Sequence, residues 1–393
     1  MKNPFRLPWL RPGDRPGYAE AQAKTEAKAA TGFIALSKDA RAHWTGRTYA
    51  GLSREGFMKN PAAHRAVRLI SEAAASVPLL LYEGIRETSE HPVLALLARP
   101  NARMGGVDFL ETLYGHLLLS GNAYVEALRV GEAVRELHLL RPDRMRILEG
   151  RDGWPEAYEY RVGTLSRRHA VGAGGLLHLR LFHPLDDHLG FPPLEAAQMA
   201  LDLSNAAATW NKALLDNSAR PSGALVYQPK EGGNLSADQY ERLKTELDEG
   251  YSGPMRAGRP LLLEGGLDWK AMGLSPKDMD FVEAKNGAAR DIALAFGVPP
   301  MLLGIPGDNT YANYQEANRA FYRLTVLPML FRTLSALSGW FSESLGETLR
   351  LAPDLDQVAG LSAERAEVWA RLKDADFLSN AEKRQAVGYS VEE

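Results

Sequence analysis

The side chains with the strongest claim to chemistry lie between 178 and 188. His178, His183 and His188 stand with Asp186 and Asp187, residue types that bind divalent metals. Their spacing argues against a metal centre. A zinc site needs defined ligand spacing, whereas here one histidine sits in a strand-like run and the others share a proline-containing turn. A polar loop with one core-edge histidine is the plainer reading. Gly172-Ala173-Gly174-Gly175 lacks the order and the following helix of a dinucleotide loop, so it reads as a turn. There is no G-x-S-x-G and no phosphate-loop lysine motif. The chain has no cysteine, which removes a thiol nucleophile, a zinc ribbon and a disulfide scaffold together. The expectation is no catalytic residue, no metal and no cofactor, hence not an enzyme. A second cluster is neutral: Asn309, Thr310, Tyr311, Asn313, Tyr314 and Gln315, at a loop-to-helix junction. It fits ordinary capping by Asn309 or Thr310. It equally fits a polar surface for a passing polyanion, because amides and hydroxyls bond phosphates without the hold of an arginine cluster.

Composition narrows the class. A length of 393 residues predicts two or three compact units or one elongated multi-part protein. A hydrophobic share of 45% with 24% charged residues is that of a folded soluble chain. The net charge is −3, from 46 basic and 49 acidic residues, which argues against a high-affinity DNA clamp but not against a surface that lets DNA slide. Residues 1–54 hold ten basic against four acidic side chains, an excess of six, with no sustained apolar period. They read as a flexible basic arm, or as an arm that docks on a neighbouring subunit or an acidic surface. No run reaches the ~18 uninterrupted apolar residues of a membrane span. Met1 to Leu10, with Pro4, Pro8 and Trp9, lacks a signal-peptide core, so a cytosolic compartment is expected.

The elements that would position these residues follow from periodicity. Asn60-Pro61 starts a helix that runs to Pro78, and Asp108–Leu119 predicts another, stopped by Ser120-Gly121. Short alternating runs at 123–128, 134–140, 144–148, 158–162 and 176–182 predict strands. Pro193 opens an alanine-rich helix to about 219, whose small faces suit close helix packing. A small insert follows: a strand at 224–227, a helix at 236–249 and a hairpin-like pair around Gly265-Gly266. Ser275-Pro276-Lys277-Asp278 caps a helix ending at Gly297 before Pro299-Pro300. A Gly/Pro loop then leads into a long apolar helix that Pro328 should kink. Two short helices, 362–375 and 379–387, close the chain.

Eight blocks in a fixed order carry a resemblance: GNAYV at 121–125, LRPDRM at 140–145, GFPPLEA at 190–196, ARPSG at 219–223, LLLEGG at 261–266, LSPKDMDF at 274–281, IALAFGVPP at 292–300 and NTYANYQEANR at 309–319. Together they resemble tailed-phage portal proteins of the HK97 type, a group that includes portals of gene transfer agents. The resemblance spans roughly 60–350. One departure is Phe191-Pro192-Pro193, where the family often has Ser-Pro.

The resemblance implies an α+β portal fold with these parts: a flexible basic arm at 1–58, a wing at 59–190, a stem helix at 191–221, an α/β clip at 222–275, a second stem helix at 276–297, a tunnel loop at 298–311, a long kinked helix at 312–352 and a small helical crown at 353–393. It implies a homo-oligomeric ring, commonly a dodecamer, at one capsid vertex, through which double-stranded DNA enters and leaves without sequence specificity. The DNA-channel residues would be Pro299, Pro300, Met301, Leu302, Leu303, Gly304, Ile305, Pro306, Gly307, Asp308, Asn309, Thr310 and Tyr311. The clip helix, with Asp238, Glu241, Glu246, Asp248 and Glu249, would dock the large terminase subunit and later a head–tail adaptor protein. The major capsid protein is the remaining expected partner, and no membrane is expected. The particle is the expected location, with the host cytoplasm during assembly. The alternative class is a cytosolic ring-forming scaffold without a DNA channel.

Overall fold

The computed structural model describes residues 44–131, 133–216, 223–227, 236, 238–239, 241–242, 245, 267–271, 281–307 and 310–389. All belong to one compact unit, His43–Glu393. Its first helix, α1 (Tyr49–Leu52), is capped by Thr48 and runs into a π-helical turn, Ser53–Phe57. This corrects the expected arm boundary at 58. Leu52 is only 1% exposed, and the backbone amide of buried Thr45 donates to both oxygens of Asp202 at 3.2 Å. The Thr45 hydroxyl donates to the same carboxylate, and Gln198 donates to the Thr45 carbonyl. Partners more than 150 positions away order a segment whose own composition is arm-like.

Helix α2 (Pro61–Ala75) begins as expected: the Asn60 side chain accepts from the amides of Ala62 and Ala63, both at 3.1 Å, with Pro61 at N1. Then come β1 (Leu79–Glu83), β2 (Arg86–Thr88), α3 (Pro92–Ala98) and α4 (Gly106–Ser120). The strands β3 (Asn122–Val130), β4 (Ala133–Leu140), β5 (Met145–Glu149), β6 (Pro155–Val162), β7 (Leu165–Ala170) and β8 (Leu176–Arg180) form two antiparallel sheets, ordered β4-β3-β8 and β5-β6-β7. A buried carboxylate joins them: Glu126 on β3, 6% exposed, accepts from Arg167 on β7, with His169 Nε2 at 3.7 Å. The β7 strand has mostly exposed side chains, which is why its pattern gave no apolar signal.

The predicted helix from Pro193 is divided into α5 (Pro193–Ala196) and α6 (Gln198–Asp216). After it, β9 (Gly223–Tyr227) pairs antiparallel with β10 (Leu267–Ala271), from Gly223↔Ala271 to Tyr227↔Leu267. The insert therefore leaves and returns at one ladder. The expected hairpin at Gly265-Gly266 lies outside the described residues, as does the cap at 275–278. Helix α7 (Phe281–Ala295) packs along α6.

The long helix has three parts: α8 (Tyr311–Phe321), a π-helical stretch at Tyr322–Val326, and α9 (Leu327–Leu345). The π turn stands where Pro328 was expected to disturb the ladder. Proline lacks a donor and its ring crowds the carbonyl one turn back, so a wider turn before it relieves the clash. The Leu327 amide bonds Tyr322 O, five residues back. The whole run Tyr311–Leu345 is long and apolar enough to cross a membrane by composition, with 44% of its most apolar window buried in the protein. Leu330, Leu334, Leu337 and Phe341 account for this by facing the core. Strand β11 (Leu349–Pro353) then completes the sheet β11-β1-β2, with Arg350 over the Tyr82 ring at 4.1 Å. The chain closes with α10 (Ser362–Lys373) and α11 (Asn380–Val387). Ser379 and Glu382 form a capping box on the latter. One apolar core gathers α2, α4, α9, β3 and β11.

Candidate functional site

The segment expected to meet DNA begins at the end of α7. Gly297 takes a positive φ of 66°, and a Cβ there would stand 2.9 Å from Thr325 Oγ1. That hydroxyl donates to the Gly297 carbonyl at 2.5 Å, and the Val298 amide donates to Ala293 O at 2.9 Å. The chain is thus turned and pinned before the two prolines. Pro300–Leu303 form a 3-10 turn rather than open loop, closed by Ile305 N to Pro300 O at 3.2 Å. Arg290 of α7 donates to Pro306 O at 2.7 Å.

The thirteen candidate channel residues therefore divide. Pro299, Met301, Leu302 and Leu303 are half-buried and Ile305 is 7% exposed, because the 3-10 turn packs on α7, α8 and α2. Pro300, Gly304, Pro306, Gly307, Thr310 and Tyr311 are exposed, and Asp308 and Asn309 lie outside the described residues. Thr310 is the cap of α8, accepting from Asn313 N at 3.3 Å. Tyr311 is 79% exposed and Tyr314 is exposed beside it, with the Gln315 amide donating to the Tyr311 hydroxyl at 3.1 Å. Among the described residues, what the segment offers to solvent is a set of prolines, glycines and hydroxyls without a basic side chain.

In the insert, Asp238 and Glu241 are exposed, and Glu246, Asp248 and Glu249 lie outside the described residues. Ser236 and Gln239 cap each other reciprocally, amide to side chain at 3.0 and 3.3 Å, which starts a helix at the expected residue.

The histidine cluster is structural. His178 Nε2 lies 2.9 Å from Asn122 Oδ1, and its Nδ1 lies 3.3 Å from the Tyr158 hydroxyl. Asn122 Oδ1 also accepts from Gly190 N at 2.8 Å, so His178 donates through Nε2 and accepts through Nδ1, leaving neither nitrogen for a metal. Its ring stacks on Tyr124 at 4.3 Å. Burial, helped by the Arg180 guanidinium, pushes its pKa down to about 4. His183 accepts from Leu185 N, while Asp186 accepts from the amides of His188 and Leu189, bonds that hold its carboxyl below the usual range. Among the described residues no three such side chains converge on a metal position. The same place explains two of the sequence blocks. A Cβ on Gly190 would stand 2.0 Å from Gly121 O, and Gly121 has a φ of 72°. GNAYV and GFPPLEA touch through their glycines, and Leu181 N donates to Gly121 O at 2.8 Å. Sequence reasoning found both blocks but not that contact, nor the Thr45–Asp202 strap.

Comparison with known proteins leads to the same family as the sequence blocks. A family model described as phage portal protein matches residues 61–388. A chain from the neck of an empty GTA particle, computed with C6 symmetry, is 54% identical, covers 90% of this chain and 96% of its own, and has a TM-score of 0.71. A chain from the neck of a native GTA particle, computed with C12 symmetry, is 52% identical, covers 91% and 97%, and has a TM-score of 0.68. The portal protein of Enterobacteria phage HK97 is 25% identical over 331 residues, 81% of this chain and 76% of its own.

Proposed function

The chain belongs to the phage portal protein family, and from that membership we propose that twelve copies close into a ring at one vertex of a phage or gene-transfer-agent capsid. DNA passes inward through this ring during packaging and outward into the tail. The observation that carries the reading is the near-complete correspondence with a neck chain of C12 symmetry at 52% identity. The work is structural rather than catalytic. Residues 59–190 serve as wing, 191–221 and 276–297 as stem, 222–275 as clip, 312–352 as the long helix and 353–393 as crown. The exposed part of 298–311 faces the passing duplex and touches its backbone without reading sequence. A surface of prolines, glycines and hydroxyls supports this, since weak neutral contacts do not hold a polyanion in one place. The acidic clip helix docks the large terminase subunit, then a head–tail adaptor protein, and the ring seats in the major capsid protein. Mass measurement of the purified chain, with negative-stain images, tests the reading. Rings with a central hole are expected; a monomer under all assembly conditions overturns it.

A further inference from the structure

Near the C-terminus two features complement each other and stand apart within one chain. The first is a cavity of about 330 Å³ between α9 and α10, lined by Leu327, Pro328, Phe331, Leu355, Leu361 and Val368. It is apolar yet open, and Phe331 on its wall is 48% exposed. Arg323, Glu364 and Arg365 complete the lining: Arg323, its side chain 61% exposed, lies 3.3 Å from Glu364, and Arg365 donates to Asp356. The second is the turn between α10 and α11. Phe377 at its tip is 86% exposed, and the turn carries exposed Asp374 and Asp376. Within the chain Phe377 is not among the residues that line the groove and stands exposed beyond the end of α10.

A cyclic ring needs two different surfaces on each copy, because every contact is heterologous. We propose that the Phe377 turn of one copy inserts into the α9–α10 groove of the next, with Asp374 and Asp376 against Arg323. This rests on the ring reading. An aromatic anchor in an apolar pocket with a charged rim is the usual composition of an interface hot spot.

The absence of cysteine makes the test clean. Full-length Phe377→Cys and Phe331→Cys chains are prepared singly and together, and wild-type rings are imaged as reference. Mild oxidation of the mixed single variants should give a covalent dimer that neither gives alone. The double variant should give a ladder reaching ring size. Wild-type rings without a mixed crosslink overturn the inference and leave the ring standing, as does a crosslink from Phe377→Cys alone. No rings from wild type overturns both. Should a cysteine variant misfold, Asp376→Lys should lower ring yield roughly tenfold, and Arg323→Glu on the same chain should restore it. Lack of restoration sinks the idea.

Discussion

Two residues show how much depends on absent atoms. At Gly190, a single methyl would overlap the Gly121 carbonyl oxygen at 2.0 Å, a distance that only backbone movement can relieve. Gly190→Ala should therefore cost about 3 kcal/mol, read as a fall in the urea midpoint with the slope unchanged. An unaltered midpoint would mean that the Gly121–Gly190 approach is not needed. The neighbouring His178 and the more distant His116 give a pH signature. Burial pushes both down to about 4; for His116 the nearby Arg141 adds to the fall and Asp143 opposes it. Both pKa values lie below the unfolded value near 6.5, so the folded state binds fewer protons between about 4 and 6.5. Stability is full above pH ~6.5 and falls as pH drops towards 4, by roughly 1.4 kcal/mol per unit for each group. Melting temperature measured from pH 7.5 to 4.5 should decline, and His178→Gln should flatten the decline. Equal slopes would remove His178 from the account.

The elements divide the candidate loop into a fixed half and a presented half. Pro300–Leu303 is a packed turn, held by the reversal at Gly297 and the Thr325 hydroxyl. Beyond buried Ile305, exposed Pro306 and Gly307 belong to the part that the proposal sets against DNA. Deleting Pro306 and Gly307, which spares Ile305, should leave rings intact and lower packaged DNA several-fold. Undiminished DNA yield would remove this loop from the channel. At the long helix, the π turn before Pro328 keeps α8 and α9 one continuous run. The apolar side of α9 is thereby delivered to the core while the neutral end of α8 stays exposed. Much of this was legible: the cap at Asn60, the stop at Gly121 and the position of Pro328 are local signals that obey local rules. The pairing of β9 with β10, and of β11 with β1, was not, because strand partners are chosen by contacts far apart in sequence.

At the level of the whole molecule, charge acquires meaning only through repetition. One copy carries −3; a ring of twelve would carry roughly −36, a mild field that repels rather than grips duplex DNA. An outer docking face works by the opposite logic. Reversing Glu241 and Glu246 to lysine should weaken capture of the large terminase subunit in a pull-down. Rings of normal size should still form. Full capture by the reversed chain would assign the clip helix to plain solvation.

Eight blocks in a fixed order were enough to place the chain in its family, and caps and periods that each span a few residues were enough for many of its elements. The sequence by itself also determined that the loop after Gly297 carries no basic clamp. The packing of distant segments settled which of those loop residues are available, that residues 44–57 are part of the body, and that His178 is held between Asn122 and Tyr158. The physical reason is the same in each case. Burial and hydrogen-bond partnership depend on side chains from distant segments, and neither can be read before those segments are brought together.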